Sequence, residues 1–189
     1  MSSNIASINS IDFAEYQGLA RILHHCLIRH PEAELVQGLK DCDVAGSWPT
    51  FANREQNSAG REALAAFLAQ WPADTHEAEL IELKLDYGQL FFGPGEPNAV
   101  PQGSVYLSEE QLLNDRSTMA LMDFYQANGV DVDVDYPQPL DHIGLFFAVL
   151  DQTFGRLQQE TDNQALVRFT QVLLQQHLLP WAPRCFELA

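Results

Sequence analysis

The chain has little positive charge and little cysteine, and both shortages limit what it can do. It carries 10 lysine and arginine residues against 26 aspartate and glutamate residues, a formal net charge of −16. Such a surface repels the phosphates of nucleic acids and anionic lipids, and it attracts basic ligands. The three cysteines, Cys26, Cys42 and Cys185, show no C-x-x-C spacing. This pattern predicts neither a disulfide framework nor a thiolate metal site.

Long hydrophobic runs are also missing. The longest apolar run without a charge, residues 143–150, is far shorter than the roughly 18 residues that a membrane span needs. Residues 1–10 are rich in serine and asparagine and lack the cationic and apolar regions of a signal peptide. The 189 residues, 46% of them hydrophobic, suffice for one sizeable core. We therefore expect a single domain over residues 1–189, located in the cytoplasm.

The motifs of common catalytic and metal sites are absent from the sequence. His24, His25 and His30 do not have the H-E-x-x-H spacing of a zinc site. Ser104 lacks a G-x-S-x-G elbow, and the Gly-Pro-Gly at residues 93–95 matches neither phosphate-binding glycine pattern. The sequence thus predicts a protein that is not an enzyme and has no cofactor and no metal.

Apolar residues recur at helical spacing along most of the chain, which predicts an all-α helical bundle. The first helix has a candidate N-cap in Ser10. Asp74 with Glu77, and Ser108 with Gln111, have the capping-box pattern, and the second box predicts a helix from there to residue 128, with a break considered near residues 114–117. The other helices are expected near residues 13–27, 32–40, 60–71, 77–91, 143–157 and 166–177, with a loop over 41–58.

One segment has the period of a strand. Val130, Val132 and Val134 alternate with aspartates, but no partner strand is evident, so the segment is interpreted as an extended linker. Its carboxylates are expected to lie roughly 6.6 Å apart along one face, where guanidinium groups could bind them. A solvated acidic turn accounts for the same pattern. The carboxylates are Asp131, Asp133 and Asp135, with Asp141 further on.

Two irregular motifs remain. The first, the Gly-Pro loop, runs over residues 93–106, and the second, the Asp-His turn, over residues 139–144. Long irregular segments in helical proteins are usually functional or disordered, and the interleaved Val and Tyr argue for order. Asp141 is a candidate N-cap for the following helix. His142 could pack under the loop or face a partner.

Together these motifs resemble those of the TorD/DmsD family of cytoplasmic redox-enzyme maturation chaperones. The family pattern of an aromatic residue, two residues, Leu-Phe and then Gly-Pro is matched from Tyr87 to Pro94. The end of the loop is matched by Pro101 and by Ser104-Val105-Tyr106, and the second motif by residues 138–144.

The resemblance implies an all-α chaperone that binds a molybdoenzyme precursor before export. Such proteins recognise the twin-arginine signal peptide, the enzyme's core, or both, while the molybdenum cofactor is inserted. A leader with two arginines and an apolar run needs carboxylates beside an apolar groove. By position and by charge, the expected peptide-binding residues are Tyr87, Phe91, Gly93, Pro94, Ser104, Tyr106, Asp131, Asp133, Asp135, Asp141 and His142.

Two departures from the family pattern affect these expectations. Gln138 stands where the family usually has glutamate, which removes one carboxylate. The chain also ends at Ala189, where the family continues with helical sequence, so a truncated form and a monomer or segment-swapped dimer are both considered. A chaperone that acts mainly on the catalytic subunit's core, or a weak guanine-nucleotide-binding protein, are the alternatives.

Overall fold

The structure is a computed structural model that describes residues 12–49, 54–72, 77–133 and 138–189. Within these ranges the chain forms helices and contains no strand, only an isolated bridge between Gln102 and His142. The prediction of an all-α fold is confirmed. The helices are α1 (Phe13–Leu27), α2 (Ala33–Asp41), α3 (Val44–Ser47), α4 (Arg54–Gln70), α5 (Glu77–Phe91), α6 (Ser104–Leu107), α7 (Arg116–Ala127), α8 (Ile143–Gln159), α9 (Gln164–Val172) and α10 (Ala182–Leu188), with a π-helical segment (Leu173–Leu178) that continues α9.

Helix α8 is the centre of the main core. Its apolar residues occupy nearly every side of the first three turns, and a helix of that kind is stable only when other elements surround it. Helices α1, α7, α9 and α10 and the end of α5 supply those surroundings. The buried residues of α8 are Ile143, Gly144, Leu145, Phe146, Val149, Leu150, Thr153, Phe154 and Leu157.

Helix α1 packs antiparallel along α8. The Arg21 guanidinium donates to both carboxylate oxygens of Asp151 at 3.0 and 3.1 Å. Where α8 begins and α1 ends, the two backbones come close, since a Cβ on Gly144 would lie 3.0 Å from the Cα of Ile28. The N-cap of α1 is Asp12, whose carboxylate accepts from two backbone N–H groups, and not Ser10 as expected. Asp12 directly precedes the first helical residue, which is the position that capping requires.

A second, smaller apolar cluster lies under α2, α3 and α4. Its buried residues are Val36, Ala45, Leu68 and Trp71. Helix α5 joins it to the main core, because Leu80 and Leu83 pack on the small cluster whereas Tyr87 and Phe91 belong to the main one.

Three sequence-based boundaries were wrong. Helix α4 begins at Arg54, six residues before the expected Gly60, and α3 forms inside the expected loop. The capping box at Ser108 does not start a helix, and α7 begins at Arg116, within the break considered at residues 114–117. The reason is local: Gln111 and Asn114 have φ angles of 54° and 56°, which no right-handed helix can contain. Asp74, the other expected box residue, lies outside the described residues.

Candidate functional site: the loop–turn junction and the linker groove

Glycine determines the start of the Gly-Pro loop. The N–H groups of Phe92 and Gly93 both donate to the carbonyl of Gly88, at 2.8 and 2.6 Å, and this closes the end of α5. Gly93 has a φ of +86°, and a Cβ there would come within 2.6 Å of the Gly95 carbonyl oxygen. Gly93 therefore shapes the turn, whereas Pro94 beside it is exposed.

The aromatic residues before the loop are structural. Tyr87 is 7% exposed, and its hydroxyl donates to the Leu27 carbonyl at 2.9 Å. Phe91 is buried against the Tyr87 ring, with the ring centroids 4.9 Å apart. The surfaces of Tyr87 and Phe91 thus already pack in the core, and contact of these two residues with a peptide stays a prediction. The aromatic side chain exposed at this point is Phe92, whose ring stacks on His30.

The end of the Gly-Pro loop and the Asp-His turn lie side by side. Asp141 accepts twice: its carbonyl from the Gly103 N–H at 3.1 Å, and its Oδ2 from the Ser104 N–H at 2.6 Å. The Ile143 N–H donates to the Pro101 carbonyl at 2.7 Å. Two motifs separated by more than thirty residues in sequence thus form one junction, which we call the loop–turn junction.

Residue His142, not Asp141, caps helix α8. Its Nδ1 accepts the Gly144 N–H at 3.1 Å, and the Gly144 carbonyl contacts His24 Nδ1 at 2.8 Å. The ring is 1% exposed. Burial lowers the pKa of His142 to about 4, although Asp141 nearby acts in the opposite direction and His24 lowers it slightly further. The ring is enclosed and its Nδ1 already has a partner, which fits the alternative that His142 packs under the loop; contact of His142 with a peptide stays a prediction.

A cavity of about 260 Å³ lies against the junction. Asp141 Oδ1 and Ser104 Oγ are buried and have no hydrogen-bond partner among the described residues, so the cavity wall holds unused polar atoms. Tyr106, whose contact with a peptide stays a prediction, stacks on Trp181 with ring centroids 5.7 Å apart. The cavity is lined by Gly103, Ser104, Leu107, Ser117, Ala120, Leu121, Asp141, Phe146, Gln176, His177 and Trp181.

The acidic linker forms one wall of a larger groove. Val130 and Val132 pack on the main core, whereas Asp131 and Asp133 are exposed, as the alternating pattern predicted. Asp135 lies outside the described residues. The groove has a volume of about 600 Å³, and α8 and α9 form its other walls. We call it the linker groove; Val149, Leu166 and Phe169 are apolar lining residues, and Gln152, Thr153, Arg156 and Asn163 are polar ones.

One aromatic side chain connects the two depressions. The ring of Phe124 stacks on Phe169, which lines the linker groove, with centroids 5.0 Å apart. It also stacks on His177, which lines the cavity, at 4.9 Å. Sequence reasoning did not identify Phe124, Phe169 or His177 as site residues, because they occupy ordinary apolar or helical positions in separate helices.

Comparison with known proteins decides the family. The model of the nitrate reductase delta subunit family matches residues 54–187 of the chain. The chain belongs to this family. The Tat proofreading chaperone DmsD of Salmonella typhi is 30% identical over 172 residues, which are 90% of this chain and 73% of the relative. The chaperone protein TorD of Pasteurella multocida is 32% identical over 167 residues, 88% of this chain and 76% of the relative.

Membership in the nitrate reductase delta subunit family confirms the resemblance to TorD and DmsD on which the sequence interpretation depended. These relatives are chaperones by name, which also confirms that a non-enzymatic protein was the correct expectation. Within the described ranges, no helix is both long and apolar enough to cross a membrane.

Proposed function

We propose that this protein is a cytoplasmic chaperone that binds the twin-arginine leader of a molybdoenzyme precursor. It holds the precursor back from export until the cofactor has been inserted. Two things support the proposal: the similarity to a Tat proofreading chaperone, and the chemistry of the linker groove. The leader joins two cations to an apolar run, so its receptor needs acceptors for guanidinium beside an apolar surface.

The observation that carries the proposal is the composition of the linker groove. Asp131 and Asp133 stand exposed on one wall, and Val149 and Phe169 form part of an apolar floor. A carboxylate accepts a guanidinium bidentately, so the linker wall is the side where a leader arginine binds. Arg156, the one cation among the groove's lining residues, belongs to the α8 wall and repels arginine from that side.

The loop–turn junction has a supporting role in this proposal. Asp141 and Ser104 fix the loop against α8, and their unpaired atoms line the neighbouring cavity. Because the Phe124 ring stacks on a lining residue of the groove and on one of the cavity, a peptide in the groove lies next to the cavity that Asp141 lines. Gly93 and Pro94 shape the far end of the same loop.

Titration calorimetry with a synthetic twin-arginine leader peptide tests the proposal. We expect Asp131→Asn together with Asp133→Asn to weaken binding about five- to tenfold, because two exposed ion pairs are worth roughly 1 kcal/mol or slightly more in total. Affinity should also fall as salt rises, since exposed pairs are screened. A peptide with both arginines replaced by glutamine should bind the wild-type and variant proteins alike.

The matched control removes the same charge elsewhere. Glu34 and Glu79 are exposed on α2 and α5, beside the smaller apolar cluster. Glu34→Gln with Glu79→Gln reduces the net negative charge equally and should leave the leader affinity within about twofold, because distant exposed charges are screened. An equal loss in both double variants would mean that overall charge, and not the linker groove, attracts the peptide.

A further inference from the structure

An apolar surface lies on the far side of α7 from the cavity. Leu112 and Leu113 precede the helix and are 50% and 54% exposed, and Met119 and Met122 within it are 53% and 41% exposed. We call these four side chains the Leu/Met patch. Met119 and Met122 are three residues apart and therefore adjacent on the helix surface, and Leu112 and Leu113 lie within four residues of its start. Exposed apolar residues grouped in this way, unlike single ones, mark contact sites on proteins.

The Leu/Met patch is distinct from the depressions described above. Successive residues of an α-helix are about 100° apart around its axis. Met119 and Met122 therefore lie on one flank of the buried face of α7, and Ser117 and Phe124 lie on the opposite flank. Ser117 lines the cavity and Phe124 stacks between cavity and groove. Accordingly, a ligand on the patch leaves both depressions free.

The two leucines lie between residues that have a left-handed backbone conformation. Gln111 and Asn114, which flank them, have φ angles of 54° and 56°, in the left-handed region that side chains with a Cβ rarely adopt. Ser108 holds the turn that precedes them: its carbonyl accepts the Gln111 N–H at 3.2 Å and its Oγ accepts the Glu110 N–H at 3.3 Å. The fold thus keeps Leu112 and Leu113 outside the core, although burial would favour them.

The charges around the patch indicate what it binds. Glu109, Glu110 and Asp123 are exposed next to the apolar residues, with Asp115 also close in sequence. Arg116 is the one cation between residues 107 and 127. A second copy of the chain, related by a two-fold axis, would bring these carboxylates against one another, and a bilayer of anionic lipid would be repelled in the same way. A basic polypeptide fits this rim.

We propose that the Leu/Met patch docks a basic amphipathic helix of a client polypeptide, separately from the leader. Methionine side chains are flexible and adapt to apolar partners of different shape, which suits a surface that receives an unfolded or partly folded segment. The proposal rests on the chaperone function proposed above and adds a second client contact outside the leader.

The probe is a synthetic lysine–leucine peptide whose leucines recur at i, i+3, i+4 and i+7, so that one helical face is apolar and the other cationic. Fluorescence anisotropy measures its affinity. We expect Met119→Gln with Met122→Gln to weaken binding about tenfold, since two part-exposed methionines lose their contacts. Glutamine has a similar size and helix propensity, so circular dichroism should show an intact fold.

The matched control makes the same chemical change on α5. Ile81 and Leu85 are 59% and 67% exposed there. Glu82 and Asp86 are exposed beside them, so this face also combines apolar and acidic side chains. Ile81→Gln with Leu85→Gln should leave the affinity for the lysine–leucine peptide within about twofold, because the peptide is expected to dock on the patch and not on α5. Equal affinity of both double variants, whether lowered or unchanged, would overturn the proposal.

Two further measurements distinguish client docking on the patch from binding in the linker groove and from self-association. Asp131→Asn with Asp133→Asn should not affect the lysine–leucine peptide, and a loss there would place that peptide in the linker groove and overturn the proposal. A dimer that dissociates in the methionine double variant would make the patch a self-association surface and also overturn it. Should the leader peptide fail to bind the wild-type protein while the patch dependence holds, the leader assignment fails and the docking surface stands.

Discussion

Acidification should destabilise this protein through one buried ring, that of His142. Its Nδ1 accepts the Gly144 N–H, so the neutral ring carries its proton on Nε2. A second proton would have to go to Nδ1, where it would face a donor and remove the cap of α8. The ring is 1% exposed, so water cannot compensate for the charge.

The magnitude follows from the pKa of His142, which is about 4 in the fold against an ordinary value of 6.5. Because the folded value is the lower one, the unfolded chain binds the proton first. The free energy of unfolding is therefore at its full value above about pH 6.5, and protonation of His142 in the unfolded chain lowers it progressively toward about pH 4. Between about pH 7 and pH 5 this residue alone should lower the free energy of unfolding by about 2 kcal/mol.

Urea unfolding followed by circular dichroism at several pH values is the assay. His142→Asn keeps an oxygen that can accept the Gly144 N–H as an N-cap, but it does not titrate. The smaller asparagine side chain lowers the free energy of unfolding at every pH. The further fall in this free energy between about pH 7 and pH 5 should be smaller in His142→Asn than in the wild-type protein by about 2 kcal/mol. His30→Asn, at an exposed histidine, is the control and should keep the wild-type dependence. The reasoning is refuted when His142→Asn shows the same pH dependence as the wild-type protein.

The loop–turn junction gives two further predictions. Asp141→Ala should lower the free energy of unfolding in urea by about 2–3 kcal/mol, because the buried Ser104 N–H loses its charged acceptor. Asp141→Asn keeps an acceptor and should lower it by less than half as much. Equal stability of the two variants would contradict this account. Gly103→Ala should cost about 1–3 kcal/mol, because its Cβ would lie 2.6 Å from the Trp181 ring. Gly60→Ala, in open space within α4, should instead stabilise by about 0.5–1 kcal/mol, and an equal loss at both glycines would exclude a steric cause.

The burial of Asp141 determines how the leader site should be tested. From the sequence alone, an alanine at this position is expected to weaken peptide binding without affecting the fold. The structure makes Asp141 3% exposed and a hydrogen-bond acceptor of the loop, so its removal mixes folding with binding. Asp131 and Asp133 are the better residues to change, because their side chains are exposed on the linker wall.

Local pattern predicted the helices well where one face is apolar. The recurrence of apolar residues identified α1, α5 and α8 almost to the residue, because burial of a face requires the 3.6-residue period. The sequence pattern did not predict the start of a helix correctly where the capping residues were ambiguous. Ser108 has the capping-box pattern, but the positive φ angles at Gln111 and Asn114 direct the chain into a turn, and no periodicity signals that choice.

The sequence by itself determined the all-α class, the acidic surface and the two irregular motifs, because composition, helical period and glycine placement are local properties. Only the tertiary structure decided which motif residues face inward. Asp141 and His142 are polar, yet they are buried because α8 must begin inside the core and its first N–H groups, with those of the loop, need acceptors there. The tertiary structure also decided that Phe124, Phe169 and His177 meet beside the linker, since packing between helices distant in sequence is not contained in any local pattern.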